Sequence, residues 1–218
     1  MNDVIKKGIQ RIGLGYTMTM LDVTPWKKYS KGGVTVETEA YQTRLFDCTV
    51  LNIRAMLGVV SAEMLILSPT VKDAPCVLAG FLHSVGRDTL HMEALNTQLT
   101  PIVPAPLMEV RAAHPQPADH VSSLNWYEEL KLPGCVCRSL KPSDKEAKSL
   151  FDDWLGAYLR MLEEAPDCDR DEKRQHSEAL VKQFILQEND SVRQVYNMLG
   201  REQTQQILLT AFFPGKDA

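Results

Sequence analysis

No apolar run in the 218-residue chain approaches the roughly 18 residues of a membrane-spanning helix. Residues 1–14 hold no long apolar core and no small-residue cleavage site, so no secretory signal is expected. Cysteine is sparse and odd in number, five residues scattered at Cys48, Cys76, Cys135, Cys137 and Cys168. That distribution suits a reduced, cytoplasmic protein better than a disulfide scaffold. Basic excess is lacking too: 24 Lys and Arg against 28 Asp and Glu leave a net charge of −4. A broad nucleic-acid-binding surface is thereby excluded, although a local basic patch is not. The glycines form no phosphate-binding loop, because Gly13-x-Gly15 lacks the preceding strand and the third glycine. Cys135-x-Cys137 has no Cys or His pair at zinc spacing, so no metal site is expected. Internal repeats, low-complexity tracts and heptads are absent.

What remains is the composition of an ordinary globular chain, 44% hydrophobic and 24% charged, long enough for one full core. Val4, Ile5, Gly8, Ile9 and Ile12 predict an amphipathic opening helix that Gly13 and Gly15 end. Gly32-Gly33 reads as a turn into an alternating strand from Val34. Residues 41–56 fit either period in part; their Thr, Val, Phe and Cys content favours strand. Three apolar runs, 63–67, 76–83 and 89–95, are separated by short turns and predict an antiparallel meander. Five prolines between Pro101 and Pro117 predict an extended crossing segment. Two helices follow, one on Phe151, Trp154, Leu155, Tyr158 and Leu162, another on Leu180, Val181, Phe184 and Ile185. The charge run 167–174 mixes signs and reads as a solvated loop or a helix start. The reading is a single α/β domain, a central antiparallel sheet covered by helices.

Residues 187–213 carry the strongest pattern. A polar Gln187-Glu188-Asn189-Asp190 cluster precedes Val192, Val195, Tyr196 and Leu199 at helical spacing, which stop at Gly200. A second apolar run, Ile207, Leu208, Ala211 and Phe212, ends at Pro214-Gly215. Asp190 stands where a helix N-cap belongs. On the meander, His83 ends one strand, and His91 and Glu93 share a face of the next by the period of two. An acid group under covering helices suits proton donation to a bound conjugated molecule, since burial raises a carboxyl pKa toward neutrality. The plainer alternatives are a strand-end histidine for His83 and a solvent-facing pair for His91 and Glu93.

The tail resembles the C-terminal signature of the ferredoxin-dependent bilin reductases, a fold family that includes red chlorophyll catabolite reductase. Gln187, Asn189, Asp190, Arg193, Gly200 and Phe213 carry the match, and the ordered series Leu65-Ile66-Leu67-Ser68-Pro69, Asp73-Ala74-Pro75 and Ala79-Gly80 extends it. The resemblance implies an α/β/α sandwich with a mainly antiparallel sheet, and an open-chain tetrapyrrole between that sheet and the C-terminal helices. It implies reduction by single electrons from reduced ferredoxin, without metal or bound flavin, with side chains supplying protons. The acidic residue of the tail motif maps onto Asp190. Many bilin reductases also place an Asp on the strand after the Asp-x-Pro loop; this chain reads Gly80-Phe81-Leu82-His83 there. Either His83 is the second donor, or the chain reduces a different double bond, or it binds a tetrapyrrole without reducing it.

For the substrate's carboxylates, Arg193, Asn189, Arg44 and Arg54 are candidate contacts, with His91 and Glu93 on the sheet. Lys6, Lys7, Lys27, Lys28 and Lys31 are candidates for a patch that docks an acidic ferredoxin. The competing expectation is a non-catalytic tetrapyrrole-binding or carrier protein on the same fold. A third is a helical adaptor that binds no pigment.

Overall fold

The structure, a computed structural model, describes residues 3–85, 87–114, 125–140, 145–187, 196–197 and 199–215. Its centre is an eight-stranded sheet in which every pairing is antiparallel. The strands are β1 (Thr19–Leu21), β2 (Lys28–Lys31), β3 (Val34–Gln42), β4 (Phe46–Ala55), β5 (Val60–Pro69), β6 (Cys76–Ser84), β7 (Arg87–Leu95) and β8 (Val136–Leu140). They run in the order β1-β3-β4-β5-β6-β7-β8, and β2 pairs with β3. β4 is buried along most of its length on both faces. Burial on both faces explains why its alternation is blurred in sequence and why β-branched and aromatic content decides its state.

Helices cover both faces. They are α1 (Asp3–Gly15), α2 (Ala105–Ala113), α3 (Asn125–Leu130), α4 (Lys145–Glu164), α5 (Arg170–Leu186) and α6 (Arg201–Phe212). On the back face, Ile5 and Ile12 of α1 and Phe151, Trp154 and Tyr158 of α4 pack on Phe46, Cys48, Leu65, Val77, Leu90 and Met92. On the front face, Val181, Phe184 and Ile185 of α5 and Ile207, Leu208 and Phe212 of α6 pack on Val36, Leu51, Ile53, Ile66, Cys76 and Leu78. The architecture is an α/β sandwich, a mainly antiparallel sheet between helices, as the sequence predicts.

Five elements depart from the prediction. The segment with five prolines is not extended throughout: Pro104 is the N-cap of α2 and Pro106 lies in its first turn, where a missing N–H costs nothing. α3 and β8 lie beyond it, and Cys135-x-Cys137 runs into the edge strand β8. β1 and β2 are short and largely exposed, and pairing to the outer edge of β3 defines them, not their own residues. Gly32 and Gly33, at φ +59° and +79°, make the two-residue turn from β2 to β3.

The Asp73-Ala74-Pro75 loop is tied down from three directions. Asp73 accepts the N–H groups of Leu99 and Thr100 at 2.7 and 2.9 Å. Lys173 of α5, fully buried, donates to Ala74 O and Thr97 O at 2.8 and 2.7 Å and lies 3.4 Å from Asp73 Oδ1. The Tyr158 hydroxyl donates to Pro75 O at 2.8 Å. This end of the front face is therefore fixed to α5.

Candidate functional site

Strand register sorts the polar groups by face. Leu51, Met64, Gly80, His91 and Cys137 form one row across β4 to β8, and Thr49, Ile66, Leu78 and Glu93 form the next. Both rows lie on the front face, because Leu51, Ile66 and Leu78 sit beneath α5 and α6. Coverage is uneven along the strands. Ile66, Ser68, Cys76 and Leu78 are buried, whereas Val60, Ala62, Met64, Leu82 and His91 are only half-buried. In the middle of the half-covered end stands Gly80, where a Cβ would lie 2.2 Å from the Glu63 carbonyl oxygen and 2.8 Å from Met64 Cα. No side chain fits there without parting the strands. Ala62, Met64, Gly80 and Leu82 thus make an apolar floor edged by His91, with Met64 Cγ 3.0 Å from where a Gly80 Cβ would stand.

His91 and Glu93 share the front face, the geometry that period two requires. Glu93 is buried, not solvent-facing, and accepts a 2.5 Å hydrogen bond from the Tyr127 hydroxyl. Burial first, then the Glu93 charge, push the Tyr127 phenol well above its usual range. Tyr127 in turn packs on Phe184 of α5, with ring centroids 5.7 Å apart.

The other predicted residues lie elsewhere. His83 is on the back face, since Val77, Ala79 and Phe81 at the same parity pack toward α1 and α4. It is half exposed, and its Nδ1 lies 2.5 Å from Asp88 Oδ1, the residue opposite it on β7. A ligand held under α5 and α6 would not meet it. Arg54 is exposed and sits 4.0 Å from Glu37 on the back-face parity of β4. Arg44 is exposed in the β3–β4 turn, where its charge reaches Tyr16. Asn189, Asp190 and Arg193 lie outside the described residues. The basic candidates divide between α1 (Lys6, Lys7), the segment before β2 (Lys27) and β2 itself, where Lys28 lies 3.6 Å from Glu37 and Lys31 donates to Leu199 O.

One acid escaped the sequence reading. Asp47 of β4 is buried on the front face, opposite Ser68 on β5 and Gln42 on β3. Burial pushes its carboxyl up to about 6, against the opposing pull of Arg170, Arg174 and a hydrogen bond from Gln42. Asp47 Oδ1, Ser68 Oγ and Arg174 Nη2 find no hydrogen-bond partner among the described residues. All three residues line one small cavity of about 10 Å³ with Arg170, Thr70 and Phe213. The Phe213 ring also borders a cleft of about 580 Å³ between the Asp22–Trp26 segment, α5 and α6. The signal was present in the alternation of Leu45, Asp47, Thr49 and Leu51, which sets a carboxylate among apolar neighbours.

No protein-family model and no curated protein sequence matches the chain. Among solved structures, the fold is similar to that of phytochromobilin synthase from tomato, crystallised in complex with biliverdin. The TM-score is 0.69, over 97% of this chain and 82% of that one, at 10% sequence identity. The likeness is one of fold.

Proposed function

We propose that this protein binds an open-chain tetrapyrrole against the half-covered end of the front face, by the C-terminal helices, and reduces it with electrons from reduced ferredoxin. The apolar floor of Ala62, Met64, Gly80 and Leu82 carries the reading: a planar conjugated guest needs an apolar surface to lie on, and Gly80 adds no side chain of its own to it. The fold shared with a protein solved around biliverdin supports the choice of guest. Reduction of one double bond takes two electrons, delivered singly, and two protons. Asp190 is assigned as a proton donor from the tail motif, with Asn189 and Arg193 near the pigment's carboxylates, and His91 borders the floor.

Gly80 also favours a second reading. It lies on the strand that follows the Asp-x-Pro loop, faces the front and admits no carboxylate. A non-catalytic tetrapyrrole carrier on the same fold needs none. Anaerobic incubation of the purified protein with biliverdin, ferredoxin and a ferredoxin-reducing system separates the two. Bleaching or a blue shift over many turnovers marks a reductase, and a shifted spectrum that persists marks a carrier. An unchanged biliverdin spectrum would sink both. Within the first outcome, Asp190→Asn abolishes turnover at unchanged melting temperature if the residue donates a proton. A loss of about 1 kcal/mol of stability with turnover intact would make it a helix cap instead.

A further inference from the structure

Asp47 and its neighbours belong to no part of that floor. The large cleft is lined by Val23, Trp26, Lys182, Leu209, Thr210 and Phe213, among others, and shares no residue with Ala62, Met64, Gly80, Leu82 or His91. Its volume, about 580 Å³, is that of an ordinary small-molecule site. Phe213 borders both that cleft and a second, small cavity, where Ser68 Oγ and Arg174 Nη2 leave hydrogen-bonding capacity unsatisfied around room for one water-sized atom. Ser68 is 2% and Asp47 7% exposed, so neither is served by bulk solvent. Leaving such groups unmatched is costly, and a built site explains them better than chance.

Charge identifies the guest. Arg170 and Arg174 both face Asp47 from α5. Glu178 accepts from Arg174 Nε at 3.1 Å and lies 3.6 Å from Lys182 Nζ, so one acid is shared by two cations along α5. With Asp47 neutral, the groups lining cleft and cavity still sum to a positive charge: Arg170, Arg174 and Lys182 against Glu178 and Asp22. A neutral Asp47 donates a hydrogen bond where its carboxylate would repel an anion. The walls beyond offer an apolar strip, Val23, Pro25, Trp26, Leu209 and Phe213, beside the polar Asp22, Thr24, Gln206 and Thr210.

We propose that cleft and cavity form one binding site for a small carboxylic acid with an apolar body, bound with one carboxylate oxygen between Ser68 and Arg174, and that binding draws one proton onto Asp47. No bond is made or broken: the proton comes from solvent and is shared between two carboxyl groups. The free Asp47 is mostly ionised at pH 7 and the bound one is neutral, so affinity rises as pH falls toward 6.

The test uses 3-phenylpropionate as probe, with its methyl ester as the uncharged comparator, and calorimetry between pH 8 and pH 6. Expected are binding of the acid and not the ester, a gain of up to about tenfold in affinity per pH unit, and uptake of close to one proton, read from buffers of different ionisation enthalpy. Asp47→Asn keeps the affinity seen at pH 6 and loses the pH dependence. Thr210→Trp, on the half-exposed wall of the cleft, blocks the probe without touching the buried groups. A pH-independent affinity, equal binding of the ester, or full binding by Thr210→Trp would overturn the proposal. Biliverdin, itself a carboxylate, is expected to leave probe affinity unchanged, and its displacement of the probe would overturn the assignment of a separate site.

Discussion

At the scale of single residues, Asp47 shows what a sequence conceals. Its neighbours announce a strand, and the period of two even sets it on the face of Thr49 and Leu51. Nothing in the letters says that α5 and α6 then close over it. Burial has a sign that can be tested. An unfolded chain ionises Asp47 near 3.8, the folded one near 6. Between those values the folded state holds the extra proton, so stability falls as pH rises from about 4 to 6 and then levels. The ionised carboxylate costs about 3 kcal/mol at neutral pH. Asp47→Asn should therefore stabilise the protein by about 2–3 kcal/mol at pH 8, and by almost nothing at pH 4. Urea midpoints across that range decide it. An Asn variant weaker than wild type at pH 8 would mean that Arg170 and Arg174 hold the charged form instead. A residue that weakens the fold where it stands is the kind retained for binding or chemistry.

Among the elements, α5 was legible in its middle and, but for one residue, at its start. The run Asp167 to Arg174 mixes signs and reads as a solvated loop or a helix start, and the helix does start there: Asp169 caps it by accepting from Asp171 N and Glu172 N. Lys173 is the exception, fully buried on two carbonyl oxygens and near Asp73. Those partners lie 76 and more residues away in sequence, so no local pattern marks it. Replacing it by Met leaves Ala74 O and Thr97 O unmatched and Asp73 without its cation. Lys173→Met should cost about 3–5 kcal/mol, seen as a lower urea midpoint with unchanged slope. A cost below about 1 kcal/mol would show that the lysine serves solvent rather than the α5 joint. β1, β2 and β8 escaped prediction for the same reason of distance: each is defined by the strand it pairs with, and the strong meander between them was read from its own residues.

For the whole molecule, two unlike faces on one sheet decide which side chains can work together. The sequence placed His83 and His91 eight positions apart on neighbouring strands, and it could not say that they point to opposite sides. Parity does say it: His83 shares the side of Phe81 and the back-face core, while His91 pairs with Gly80 on the front. The pigment reading then makes two opposed predictions for substitutions on neighbouring strands. Met64→Trp fills the apolar floor at a half-buried position, so biliverdin binding should fall at least tenfold with little change in melting temperature. His83→Ala removes a half-exposed side chain bonded to Asp88 and should leave both binding and turnover within about twofold. Absorbance titration of the two variants reads the difference directly. If His83→Ala lost binding and Met64→Trp kept it, the guest would lie under α1 and α4, and the front-face site would be wrong.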